Sequence, residues 1–310
     1  MKKFLLLLAL FALTSGLFGQ SNIIATTAMA YLRARQAPDI AFLHPHPDAD
    51  RYRDKYLQKI ETARYLQVDT DAYRDFFHAS PKVMHLHLLS PEGPVTAELY
   101  QVELLSPDFV LQTGTGRMLT PSKAIFYRGI LAGEPDAIVT ASFYEDDFDL
   151  VVWGTRDFRI DQVELQVFSV YDEADVRGRG PFPTCQTDLL YAGGPQIRPH
   201  QPPSARTNTP NCVGLYIEAD HQTYVDNGSS VSNTQNYVYS LYNEVGTFYS
   251  QETIPLTISQ LVIWDTSDPY TGATSTDEAL DLFATQVQDN HQGILCVLLT
   301  TRSLGGASPG

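Results

Sequence analysis

The 310 residues carry 36 acidic against 21 basic side chains, a formal charge of −15, and 43% of them are hydrophobic. That much apolar side chain suits packed cores and excludes a disordered chain, and the length allows two domains of ordinary size. From Asn211 onward Arg302 is the sole lysine or arginine, so that last third repels phosphate backbones and anionic headgroups, and nucleic acid is excluded as a partner.

The first residues set the expected compartment. Lys2 and Lys3 precede the apolar run Phe4 to Leu13, and Ser15, Gly16 and Gly19 close it before Gln20. This predicts a cleavable secretory signal peptide over residues 1–20, because the apolar run is shorter than the roughly 20 residues a membrane span needs. No cysteine lies near the cleavage region and no later stretch is apolar enough to span a bilayer. The expected localisation is therefore secreted, with no membrane span.

Residues 21–80 are expected to be mainly helical, and the rhythm changes at Lys82. Met84 to Leu88 and Thr96 to Leu104 alternate, and short runs rich in β-branched and aromatic residues follow at 124–127, 137–143, 148–153 and 163–170. Turn signals at Ser90 to Pro94, Gly133 to Asp136 and Glu145 to Asp147 separate them, which predicts an antiparallel β domain within residues 21–192. Residues 193–210, with Gly193-Gly194-Pro195 and Pro202-Pro203, form an expected exposed linker.

Beyond the linker, residues 211–310 have a β-α-β-α-β rhythm. Cys212 to Ala219, Ile254 to Trp264 and Gly293 to Thr300 are the expected strands. One helix opens at Ser229 or Ser230 with Val238, Leu241, Val245 and Phe248 on a face; another opens at the capping box Ser275-x-x-Glu278 with Leu280, Phe283 and Val287 on a side. Strands alternating with helices imply a largely parallel sheet.

The usual catalytic signatures are missing from these residues: there is no H-E-x-x-H, G-x-S-x-G, G-x-x-x-x-G-K or C-x-x-C. His44 with His46, and His85 with His87, stand two apart and share a face in a strand, but no third ligand is near in sequence. His221 and His291 are isolated. Asp265, Asp268, Asp277 and Asp281 cluster around a loop and a helix start, where a solvated cap is the default and calcium is conceivable but unsupported. Asn227-Gly228-Ser229 is a formal glycosylation sequon and also an ordinary tight turn, the preferred reading. The three cysteines, Cys185, Cys212 and Cys296, are too few for a disulfide scaffold, and their odd number leaves a thiol over.

Taken together, Glu218 to His221, Asn243 to Tyr249, Ile254 to Trp264, Ser275 to Phe283 and the strand ending Leu298-Leu299-Thr300 resemble the first half of the catalytic domain of reprolysin-like (adamalysin-type) zinc metalloproteases, within the metzincins. Upstream, Phe126 to Ser142 resembles the reprolysin-type propeptide, with its Tyr-x-Gly turn before an alternating strand. The resemblance implies a fold class: an α+β, β-rich propeptide, then the N-terminal half of an α/β metzincin-like catalytic domain at 211–310. It implies a zinc metalloendopeptidase precursor acting on protein or peptide substrates, with the propeptide packed on its own catalytic domain. In the family, three histidines hold zinc and a glutamate acts as general base. That motif lies beyond the matched elements, so this chain alone is expected to be inactive and to supply no catalytic residue.

Cys185, just before the linker, takes the implied role of inhibitory zinc ligand in the latent form, since a thiolate can occupy the metal's open position. A buried or disulfide-bonded cysteine is the competing account. Venom relatives bind calcium through a glutamate six residues before the aspartate matching Asp220, where this chain has Gly214, so that site does not carry over. The alternative from another class is a secreted, non-catalytic binding or adhesion protein whose β domain is the working part.

Overall fold

The computed structural model describes residues 22–177, 212–287 and 291–304. The expected signal peptide, the linker and Cys185 lie outside the described residues.

The N-terminal region opens with helix α1 (Ile23–Ala34), the short strands β1 (Asp39–Ile40) and β2 (Leu43–Pro45), helix α2 (Ala49–Tyr56), strand β3 (Arg64–Val68) and helix α3 (Thr70–Ala79). The expected helical stretch is therefore broken three times. Tyr65 and Leu66 are both buried while Arg64 and Gln67 are exposed, so this short strand shows no alternation to mark it within a strongly charged segment. The helices carry their own start signals. Asp69 accepts from the Asp71 and Ala72 amides at the head of α3, and Asn22 accepts from the Ala25 amide at the head of α1. Gln251, far away in sequence, adds to that cap: its Oε1 accepts from the amides of Ile23 (2.9 Å) and Ile24 (3.3 Å).

Strands β4 (Val83–Leu89), β5 (Pro94–Val102), β8 (Ile125–Leu131), β9 (Glu134–Phe143), β10 (Phe148–Trp153), β11 (Phe158–Glu164) and β12 (Val167–Tyr171) follow, with β6 (Leu105–Thr113) and β7 (Met118–Leu119) between β5 and β8. Ten strands form one sheet in the order β1-β4-β5-β8-β9-β10-β11-β12-β3-β2, and apart from the β1–β4 pair its neighbours are antiparallel. All three predicted turns sit at its hairpins, with Gly93 and Gly133 at positive φ. The run 163–170, expected as one strand, is a hairpin instead. Gln166 takes φ 65°, so the turn carries neither glycine nor proline to announce it.

One face of this sheet encloses Phe42, Tyr73, Phe76, Phe77, Phe143, Phe148 and Phe168, with Phe148 and Phe168 stacked 4.1 Å apart. The other face is covered by α1, through Ile24, Ala25 and Ala28, and by a helix of the C-terminal region. Because both faces are covered, every residue of β8 is buried.

The C-terminal region comprises β13 (Val213–Ala219), α4 (His221–Asp226), α5 (Val231–Gln251), β14 (Leu256–Ile263), α6 (Thr276–Val287) and β15 (Leu295–Leu299). Its strands pair in parallel, as the alternating pattern predicted. The sheet contains more than this region, however. In the order β15-β13-β14-β6-β7, β6 runs parallel to β14 and β7 is antiparallel to β6. A hairpin from the N-terminal region thus completes the sheet of the C-terminal one.

Helix α5 lies between the two sheets, which explains a departure from the expected face. Val238 is buried, but Phe248 is half exposed against Trp153, and the buried set includes Thr234, Gln235, Asn243, Gly246 and Thr247. The second face is polar because it meets polar groups of β8 and β9. In α6 the buried positions are Ala279, Phe283 and Val287, with Leu280 outward. The Glu278 amide donates to Ser275 Oγ at 3.2 Å, while the Glu278 carboxylate reaches back one residue further, to the amide of Thr274.

Candidate functional site at the carboxyl ends of the parallel strands

In parallel α/β sheets ligands gather beyond the carboxyl ends of the strands. Here those ends are Ala219, Ile263 and Leu299, and a dense polar cluster fills the space around them. Glu218 is buried on β13, and its carboxylate accepts from Trp264 Nε1 (2.6 Å), from Tyr270 Oη (2.7 Å) and from the Tyr216 hydroxyl. Burial and the neighbouring carboxylate push the Tyr216 and Tyr270 hydroxyls well above the ordinary tyrosine range, so both remain donors. Three donors converging on one carboxylate satisfy it inside an apolar surround.

Next along the chain, Asp220 is fully buried. Its Oδ1 caps α4 through the Thr223 amide and hydroxyl, both at 2.8 Å, while its Oδ2 accepts from Thr300 Oγ1 (2.6 Å) and Arg302 Nε (3.0 Å). Arg302 also donates from Nη1 to the carbonyl of Tyr270 at 2.8 Å. The Asp268 carboxylate accepts from the amides of His221 (2.8 Å) and Tyr270 (2.6 Å), and His221 Nδ1 lies 3.1 Å from the Trp264 carbonyl. Chemically this is a clamp. It fixes the loops after β13 and β14 and the residues after β15 relative to one another, and it presents no activated nucleophile.

The residues singled out from sequence fall in several places. His85 and His87 share a face of β4 and both approach Asp39 Oδ1, at 3.6 and 3.1 Å. Asp39 comes from the parallel neighbour β1 and was invisible as a partner in sequence. His46 Nδ1 accepts from the Asp48 amide at 3.0 Å and its ring packs on Tyr52. Of the four aspartates, Asp268 belongs to the clamp and Asp265 faces Arg117 at 3.4 Å. Asp277 sits in the first turn of α6, and the Asp281 carbonyl accepts from Thr285. Asn227-Gly228-Ser229 forms the expected turn, with Gly228 at φ 73°. Cys212 and Cys296 are free and partly buried, and burial pushes the Cys296 thiol up to about 11.

Among the described residues, no group of three or more His, Cys, Asp or Glu side chains is arranged to hold a metal ion. The donor set present therefore does not fit a zinc site. A Cβ at Gly214, where the relatives carry the calcium-binding glutamate, would lie 2.5 Å from Ser259 Oγ, so that hydroxyl would have to turn aside.

Residues 209–308 match the profile of Metallo-peptidase family M12. The match spans 100 of the 310 residues, and over them the chain is similar to reprolysins. A solved structure with similarity to the chain is the crystal structure of metalloproteinase-II from Bacteroides fragilis, at 8% identity and a TM-score of 0.38, covering 82% of this chain and 68% of that one. The reprolysin-like segment contains the clamp in full, including Glu218, Asp220, Trp264 and Arg302. Glu218 and Asp220 were visible in sequence only as part of the resemblance. The signal that could have placed Arg302 is its isolation as the one cation in an acidic half, since a lone cation beside buried carboxylates is a counter-ion.

Proposed function

We propose that this protein is a secreted precursor of a zinc metalloendopeptidase, with residues 21–192 as a propeptide that keeps the protease inactive and residues 211–310 as the first half of the catalytic domain. The observation that carries the reading is the family match over residues 209–308, which follows a β-rich region in the chain. The signal-like residues 1–20 supply the route out of the cell, and protein or peptide chains are the substrates. Within this chain the reprolysin-like strands and the clamp of Glu218, Asp220, Asp268 and Arg302 act as scaffold: they hold the strand ends and the segment following β15 in fixed register.

Cys185 is the residue assigned to latency. In a chain extended to include the family's extended histidine motif, Cys185→Ala is expected to give peptide-cleaving activity before any processing. Unchanged latency would assign Cys185 a structural role. The 310-residue chain itself is expected to show no EDTA-sensitive peptide hydrolysis, and robust zinc-dependent cleavage by it would sink the assignment.

A further inference from the structure

Strands β5 and β8 are hydrogen-bonded neighbours, yet the chain between them leaves the ten-stranded sheet, builds β6 and β7 on the other sheet and returns. The excursion is pinned along its length. The Ile258 amide donates to Leu104 O (2.8 Å), residues 110–113 run in register with 260–263, and the Gly114 amide donates to Ile263 O (2.9 Å). At its base the Ser122 amide donates to Gln235 Oε1 at 3.1 Å.

Its apolar side chains belong to the core of the other half. Leu104 and Leu111 are buried together with Leu215, Ile217, Ile258, Leu261, Ile263 and Val238, and Phe109 packs on Tyr239. Without this arm, β14 would present an unpaired edge beside an uncovered apolar surface, the arrangement natural sheets avoid. Gly114 is where the fit is tightest, since a Cβ there would lie 2.1 Å from the Trp264 ring.

The second contact between the halves is mixed: Phe126 of β8 and Tyr144 after β9 are buried with Val238, Tyr239 and Tyr242 of α5, and polar bonds line the rest. Across α5, Asn243 donates to Ala141 O and Ser142 Oγ (both 3.1 Å), Thr140 donates to Thr247 (2.9 Å), and Arg128 donates to Ser250 Oγ (2.6 Å) and Asn243 Oδ1 (3.3 Å). Water can replace every one of these bonds on separation, whereas it cannot replace the apolar burial of the arm. The polar bonds of the seam orient the halves, while the arm adds strand pairing along β14 to the apolar burial that holds them.

We propose that residues 104–119 are a strand donor whose fixed occupancy of the β14 edge keeps residues 22–177 bound to residues 212–304 after the chain between them is cut. Cleavage in the linker is then not release. The arm occupies the edge of the five-stranded sheet opposite to β15, so the N-terminal half can stay attached without covering the β15 side. The claim concerns two halves of this chain and stands whether or not the protease assignment does.

The test places a site-specific protease recognition sequence within residues 193–210 of the full chain. After complete cutting, both fragments are expected to co-elute at the mass of the uncut protein at micromolar concentration, and to part only in denaturant. Separate elution under native conditions overturns the proposal. In the cut protein, Gly114→Val should weaken the complex at least tenfold, because the new side chain displaces the Trp264 indole, while the uncut variant stays folded through its tether. Asn243→Ala should weaken it less. If the uncut Gly114→Val chain fails to fold, Leu111→Ala gives the same reading with a smaller perturbation. Release by the seam variant with retention by the arm variants would also overturn it.

Discussion

Arg302 Nε lies 3.0 Å from Asp220 Oδ2, joining two residues separated by 82 positions and buried to 17% and 0% side-chain exposure. The pair ties the segment after β15 to the end of β13. Removing the cation leaves a fully buried carboxylate without its counter-charge, whereas neutralising the acid leaves an arginine that can turn to solvent. Arg302→Ala is expected to lower stability by about 3 kcal/mol, and Asp220→Asn, which keeps the cap on α4, by clearly less. Urea unfolding of both variants checks the ordering, and equal losses would contradict it.

Glu218 is buried and accepts from three donors. In Glu218→Gln, one of the two oxygens becomes an NH2 group facing those donors. The expected loss is about 2–3 kcal/mol, against about 1 kcal/mol for Tyr270→Phe, which removes one donor and leaves the others paired. Trp264 donates to the same carboxylate, so its fluorescence in the folded state should shift with Glu218→Gln.

The seam between the halves contains a charge imbalance. Arg159 on β11 faces Asp149, Asp161, Glu173 and, from α5, Glu244, with the Tyr171 hydroxyl on Asp161. Burial, only partly offset by Arg159, pushes Glu244 from its ordinary 4.5 up to about 7, with Asp161 and Glu173 adding repulsion. Burial also raises the carboxyl of Asp149. The folded state thus holds protons that the unfolded chain has released, so stability falls as pH rises from about 4.5 to about 7. A decline on the order of 1 kcal/mol across that window is expected, with Glu244→Gln flattening it. Urea midpoints at pH 5 and pH 7.5 make the comparison, and a midpoint that rises with pH in the wild type contradicts the assignment.

Gly214 offers a test of what the chain departed from. Gly214→Glu introduces the side chain that calcium-binding relatives carry, but its Cβ meets Ser259 Oγ at 2.5 Å. A loss of about 2 kcal/mol is expected from overpacking, and millimolar calcium should restore none of it. Calcium-dependent recovery in thermal unfolding would show that the start of β13 retains a site.

Much of the architecture was legible because it is local. The strand around His85 to Leu88 announces itself by alternation, and the hairpins around Gly93 and Gly133 by glycines that the structure places at positive φ. What stayed hidden depends on partners distant in sequence. Leu105 to Thr113, interrupted by Pro107, has no clean alternation, and its strand character comes from β14. The polar face of α5 looks solvent-facing until Asn243 and Thr247 are seen against β9. Asp39 completes the surroundings of His85 and His87 only because β1 lies parallel to β4. At the site, the family resemblance marked Glu218 and Asp220 as belonging together. Their roles in a clamp required Trp264, Tyr270 and Arg302, which the chain delivers from two other loops.

Gln251 capping the head of α1 sets a clock on the birth of this protein. The first helix after the signal-like segment lacks part of its cap until the far end of α5 has been synthesised, and β6 has only the short β7 beside it until β14 exists. A chain whose opening elements wait for its closing ones stays incompletely folded while it is being made.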